Sequence, residues 1–151
     1  MPTFLQTSIF LGIIGIAAVL AVKNKEKFIT TESGIKYKNI VTGKGAKAKL
    51  GDTVSMNYTL WLDNLNGKEQ IDSSYDRKAP LQFVIGKGLV IAGWDEILQV
   101  DMTVGTKREV IIPPKLGYGE NGIVNAEGVV FIPGNATLYF VMELVSIDEK
   151  P

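Results

Sequence analysis

No aspartate, glutamate, lysine or arginine occurs before Lys23, and that asymmetry divides the chain in two. From Phe4 to Val22 the sequence reads FLQTSIFLGIIGIAAVLAV, with polar side chains only at Gln6, Thr7 and Ser8. A helix of this length rises roughly 28 Å, close to the hydrocarbon thickness of a bilayer. A core helix of a soluble protein would carry a polar face and caps, which this stretch lacks. Two readings stay open: an uncleaved single-pass anchor, which is favoured, and a secretory signal whose apolar part is Ile9 to Val22. Val19 and Ala21 are placed acceptably for cleavage, but no Lys or Arg precedes the segment as a signal would want. Lys23, Lys25 and Lys27 follow it, so positive-inside logic places the larger part in the cytoplasm, with Glu26 weakening the bias. Cleavage would instead leave that part secreted or lumenal. Gly12, Gly15, Ala18 and Ala21 recur every third residue, which slips around a helix and gives no dimerisation stripe.

The charged remainder is short enough for one core. Over the 151 residues, sixteen basic side chains balance sixteen acidic ones, and there is no cysteine or histidine. Disulfides, zinc-finger spacings, cysteine nucleophiles and imidazole-based triads are therefore impossible. A metal would have to be held by carboxylates and carbonyls, and no spacing resembles an EF-hand loop. Zero net charge gives no basic excess for a nucleic-acid partner.

Residues 23–31 read as a tether. Ile35, Tyr37, Asn39 and Val41 share one side of a strand, and Gly43 to Asp52 forms a loop. Val54, Met56, Tyr58, Leu60 and Leu62 alternate with mostly polar neighbours, the period of a half-buried strand. After a turn at Asn64 to Gly67, a short strand reaches Asp72, and Leu81, Phe83 and Ile85 begin another that stops at Gly86. Between Leu89 and Val100 the period changes: Ile91, Trp94, Ile97 and Leu98 predict one short amphipathic helix. Lys107 to Ile112 alternates again until Pro113-Pro114, and Leu138, Phe140, Met142 and Leu144 give the last strand. The expected class is α+β, an antiparallel sheet covering one helix, with a concave face able to line a pocket.

Four runs occur in order: Ile71-Asp72-Ser73-Ser74-Tyr75-Asp76-Arg77, Val90-Ile91-Ala92-Gly93-Trp94-Asp95-Glu96, Leu116-Gly117-Tyr118-Gly119, and Ile132-Pro133-Gly134-Asn135-Ala136-Thr137-Leu138. Together they resemble the FKBP-type peptidyl-prolyl cis-trans isomerases, the immunophilins that bind tacrolimus and rapamycin. The resemblance covers residues 32–148, between the tether and a three-residue tail. It implies a five- to six-stranded antiparallel sheet wrapped on a short helix, following the N-terminal hydrophobic helix read above. It further implies rotation about X-Pro bonds in polypeptide substrates with no cofactor, and binding of macrolides of that type. A chain without histidine or cysteine is suited to such chemistry, because bond rotation abstracts no proton and forms no covalent intermediate.

By the same resemblance, Trp94 is the floor on which a proline ring rests, Val90 and Ile91 are walls, and the Ile91 N–H donates to a ligand carbonyl. Tyr118 offers a hydroxyl to the substrate; Tyr58, Phe83 and Phe140 are pocket aromatics; Phe131 and Ile132 close the rim. Asp72, Tyr58 and Arg77 form a polar network at the pocket edge that sets shape and polarity rather than acting as acid or base. Each also has a plainer reading. Trp94, Tyr58, Phe83 and Phe140 fit an ordinary core, Tyr118 a packed loop, and Asp72 a turn cap beside a solvated Arg77. Ile71 and Leu81 stand where many family members have phenylalanine, so the wall stays dry but loses ring-edge contacts, and turnover and macrolide affinity should fall. That departure leaves open a second function: a module that grips proline-containing segments with little turnover. Residues 120–130 are longer than the family pattern and read either as a lid or as a tolerated surface insertion.

Overall fold

The computed structural model describes residues 26–148. The hydrophobic helix expected at the N-terminus, and with it the membrane span, lies outside the described residues. Among those described, no helix is long and apolar enough to cross a membrane.

Among the described residues the chain forms nine strands and one α-helix, six of the strands and the helix lying where the sequence periods place them. These are β1 (Ile29–Thr30), β2 (Lys36–Val41), β3 (Thr53–Trp61), β4 (Gln70–Ser73), β5 (Leu81–Val84), α1 (Ala92–Ile97), β6 (Lys107–Ile112), β7 (Ile123–Val124), β8 (Val130–Ile132) and β9 (Leu138–Asp148). Every pairing is antiparallel, and the main sheet runs β1-β2-β6-β9-β3-β4. β5 shares an edge with β4. β4 pairs with Thr59, Leu60 and Trp61 of β3, whereas β5 pairs with Thr53 to Met56. Residues 74–80 bulge out between them, so the sheet edge is split where the functional side chains lie. The sheet begins inside the stretch read as tether, because Ile29 and Thr30 pair with Tyr37 and Lys36.

One face of the sheet meets α1. Val54, Met56, Tyr58 and Leu60 of β3, Val110 and Ile112 of β6, and Leu138, Phe140, Met142 and Leu144 of β9 bury against Trp94, Ile97 and Leu98. Each such aliphatic side chain contributes roughly 1.5–3 kcal/mol by leaving water. α1 is shorter than its period predicts. Ile91 is extended (φ −56°, ψ 147°), so Leu89 to Ile91 form a wall leading into the helix rather than its first turn. Gly93 lets the helix approach the sheet, because a Cβ there would lie 2.7 Å from Ile112 Cγ2.

One inward position on β6 departs from the apolar rule. Arg108 is 1% exposed, and its guanidinium donates from Nη1 to the Ile97 and Val100 carbonyls at 3.0 and 2.9 Å and from Nε to Asn39 Oδ1 at 2.7 Å. It also lies 4.6 Å from the Tyr37 ring centroid. Carbonyls at and beyond the end of a short helix lack intrahelical donors, and a buried cation answers both that need and the helix dipole.

Candidate active site

Between the split edge of β3 and the start of α1 lies an open cavity of ≈ 170 Å³. Its floor is aromatic. Trp94, 3% exposed, stands edge-on to Tyr58 (centroids 5.0 Å, 81°) and to Phe140 (5.4 Å, 75°), with Phe83 tilted against it at 5.7 Å. Such arrangements set the positive ring edge against a negative face and hold the indole in one orientation. Its Nε1 is buried without a hydrogen-bond acceptor among the described residues. Leaving a donor unsatisfied costs about 1–3 kcal/mol, and the cost persists because the floor is lined by rings rather than oxygens.

The walls are Val90 and Ile91 on one side and Leu60 and Asp72 on the other, with Leu81, Leu89 and Tyr118 at the mouth. The wall backbone is braced from α1: Asp95 accepts the Gly86 N–H at 2.7 Å and the Gly88 N–H at 3.2 Å, one on each carboxylate oxygen. Both glycines have positive φ (+81° and +65°), which a side chain would oppose. Tyr118 is set by a 3₁₀ turn at Pro114–Leu116 followed by Gly117, where a Cβ would sit 2.8 Å from Leu138 Cδ1.

At the edge, the Tyr58 hydroxyl donates to Asp72 Oδ2 at 2.5 Å, and Arg77 Nη2 donates to the Tyr58 oxygen at 2.6 Å. Arg77 Nη1 pairs with Asp72 Oδ1, closing a three-membered ring of polar groups. Burial works to raise the Asp72 pKa, but the hydrogen bonds from Tyr58 and Arg77 and the Arg77 charge outweigh it and hold the carboxyl below its usual range. Burial pushes the Tyr58 hydroxyl up, and its bond to Asp72 adds to the shift. Burial also raises Tyr118, reinforced by the Asp72 charge, so its hydroxyl stays neutral at neutral pH.

The structure thus brings Tyr58, Asp72, Leu81, Val90, Ile91, Trp94, Tyr118 and Phe140 onto one cavity. Phe83 supports Trp94 from behind, and Arg77 reaches the cavity only through Tyr58 and Asp72. Three expected wall or rim residues are elsewhere. Ile71 is 38% exposed and off the cavity surface, because neighbours on an extended strand face opposite ways and Asp72 takes the inward side. Phe131 is 53% exposed on β8. Ile132, its neighbour, is turned into the core and pairs with Ile123 across the β7–β8 hairpin that the 120–130 segment forms. Sequence reasoning missed Leu60, Leu89 and the bracing role of Asp95. Leu60 was legible from its period, but Leu89 was not, since it is 65% exposed and belongs to no strand or helix. Among the described residues no three acidic side chains gather as a metal site would need.

The family model described as FKBP-type peptidyl-prolyl cis-trans isomerase matches residues 44–145. The chain belongs to that family. A relative named FK506-binding protein 2 from Aspergillus oryzae is 50% identical over 102 residues, 68% of this chain and 69% of the relative. The FK506-binding protein 2 of Aspergillus fumigatus is 46% identical over 122 residues, 80% and 82% of the two chains. Among solved structures, AtFKBP13 superposes with a TM-score of 0.73 at 38% identity, covering 81% of this chain and 99% of its own. FkpA from Escherichia coli gives 0.69 at 37% identity, covering 85% and 55%. The FKBP fold and peptidyl-prolyl cis-trans isomerase activity accordingly hold for this chain, and its relatives are named for binding FK506.

Proposed function

We propose that the cavity over Trp94 is where the X-Pro bond turns, in a domain tethered to a membrane by residues 4–22. The observation that carries the catalytic part is the contrast inside the cavity: a floor of aromatic rings, with the hydrogen-bonded side chains of Asp72 and Arg77 and the Tyr58 hydroxyl at its edge. The planar imide owes its barrier of ~18–20 kcal/mol to charge-separated resonance. Water stabilises that polarised form, and a cavity floored by rings removes the water. A twisted imide has lost the resonance already and loses less on entering, so the site favours it over the planar form. Uncatalysed exchange takes roughly 10–100 s, and reaching milliseconds asks about 5–7 kcal/mol of this differential binding.

Individual residues support particular tasks. Trp94 and Phe140 give the proline ring a floor. Among the described residues the Ile91 N–H has no acceptor, so it is available to a substrate carbonyl. The neutral Tyr118 hydroxyl provides a second donor at the mouth. Tyr58, Asp72 and Arg77 spend their polar groups on one another and position the wall without transferring a proton.

The test is isomerisation of a proline-containing peptide by the full chain, with and without rapamycin. Acceleration that rapamycin abolishes and that falls in Tyr118→Phe and Trp94→Leu supports the assignment. Acceleration unchanged in both variants would place the chemistry elsewhere. Tethering is tested separately: the full chain should sediment with membranes through alkaline carbonate washing, and a chain lacking residues 1–22 should not.

A further inference from the structure

The sequence contains two Asn-x-Thr triplets, Asn57-Tyr58-Thr59 and Asn135-Ala136-Thr137, a pattern that accepts N-linked sugar where the chain meets the transfer machinery. The fold treats them oppositely. Asn57 is in the middle of β3, between β9 and the β4–β5 edge, and its Oδ1 accepts the Ser74 hydroxyl at 2.9 Å. Thr59, two residues on, exchanges a hydrogen bond with Ser73 at 3.1 Å. A sugar on Asn57 would have to displace the contact that fastens the turn after β4. Asn135 is exposed at the tip of the β8–β9 turn, its side chain bonded to no described residue. Its backbone N–H donates to the Gly119 carbonyl at 2.8 Å, which fixes the turn independently of the side chain. The left-handed backbone there (φ +58°) accounts for an asparagine, which tolerates that region, but not for a threonine two positions later.

We propose that Asn135 is an N-glycosylation site and Asn57 is not. The inference rests on the proposed delivery to a membrane and commits the domain to the lumenal side. That is opposite to the side three lysines favour, a bias already diluted by Glu26. The donor class is a polyprenyl-diphosphate-linked oligosaccharide. Asn135 Nδ2 forms a bond to the anomeric carbon and gives up one proton, while the bond from that carbon to the diphosphate oxygen breaks and the diphosphate leaves with the electron pair. Because Asn135 is held to Gly119, the residue after Tyr118, the sugar would project from the flank of the substrate site.

The test is translation of the full chain with eukaryotic microsomes, reading electrophoretic mobility before and after an endoglycosidase that removes N-linked sugar. Wild type should lose one mobility step. The step should be absent in Asn135→Asp, which keeps an αL-tolerant residue, and in Thr137→Ala. It should remain in Thr137→Ser and in Asn57→Gln. A wild type without the step overturns the proposal, as does a step that Asn57→Gln abolishes. Protease protection in the same microsomes separates the two readings. A protected domain without sugar rejects Asn135 while delivery stands, and an unprotected domain rejects the lumenal placement as well.

Discussion

The floor and the mouth of the cavity are built from different material. Trp94, Phe140 and Tyr58 are buried, edge-packed on one another and shared with the core under the sheet. Leu81, Leu89 and Tyr118 stand at the mouth, each at least a third exposed. The floor is therefore committed twice, to folding and to binding, whereas the mouth is committed once. Substitutions in the floor should cost stability and rate together, and substitutions at the mouth should cost rate alone.

Trp94→Ala is the severest trial of that contrast. It should lower stability by about 3–5 kcal/mol and the isomerisation rate by about a hundredfold, near 3 kcal/mol of transition-state stabilisation. Denaturant melts and a peptide assay on the same preparation read both, and a rate loss at unchanged stability would show the floor is not shared with the core. Arg108→Met sharpens the contrast from the opposite end of α1. Val100 and Asn39 would lose their donor and the Ile97 carbonyl one of its two, costing about 3 kcal/mol of stability, while the rate measured well below the melt should stay within about twofold of wild type.

Asp72→Asn falls between the regions. Losing the carboxylate loosens Tyr58 and Arg77, and the rate should drop about tenfold, or about 1.4 kcal/mol. The same variant tests a pH effect. The Asp72 pKa in the folded chain lies below its ordinary 3.8. Its ionised form therefore contributes stability above about pH 4 that disappears as pH falls from 3.8 through the lower folded value. Wild type should lose that increment on acidification, and Asp72→Asn should lack this component of the acid limb. The smallest effect belongs to Leu89→Ser at the mouth: stability within about 0.5 kcal/mol of wild type and a rate reduced a few-fold at most. A melt shifted as far as that of Trp94→Ala would erase the distinction between floor and mouth.

How far the sequence revealed this molecule follows from where each signal is written. β3 and β9 were legible because a period of two with one buried face cannot slip by a residue without turning Val54, Met56 and Tyr58 into water. The polar ring was legible because the family motif places Asp72 and Arg77 five residues apart across a tight turn. The misplacement of Ile71, Phe131 and Ile132 has a common cause: position in a motif does not say which way a strand faces, and the β7–β8 hairpin re-aims two of the three. Arg108 hid behind its charge. A cation between Lys107 and Glu109 reads as solvated surface until the Ile97 and Val100 carbonyls at the end of α1 are seen to accept from it.

The two bonds from Asp95 to the Gly86 and Gly88 amides have one more implication. They clip the approach to Val90 and Ile91 onto the same short helix that carries Trp94, so one jaw of the substrate clamp is a single rigid casting. An ill-fitting proline segment cannot pry that jaw open by bending a loop; the opposite jaw, made by Leu60, Asp72 and Tyr118, must supply whatever give the grip possesses. Selectivity in this enzyme should therefore be tuned by evolution, or by an engineer, on the side facing away from the helix.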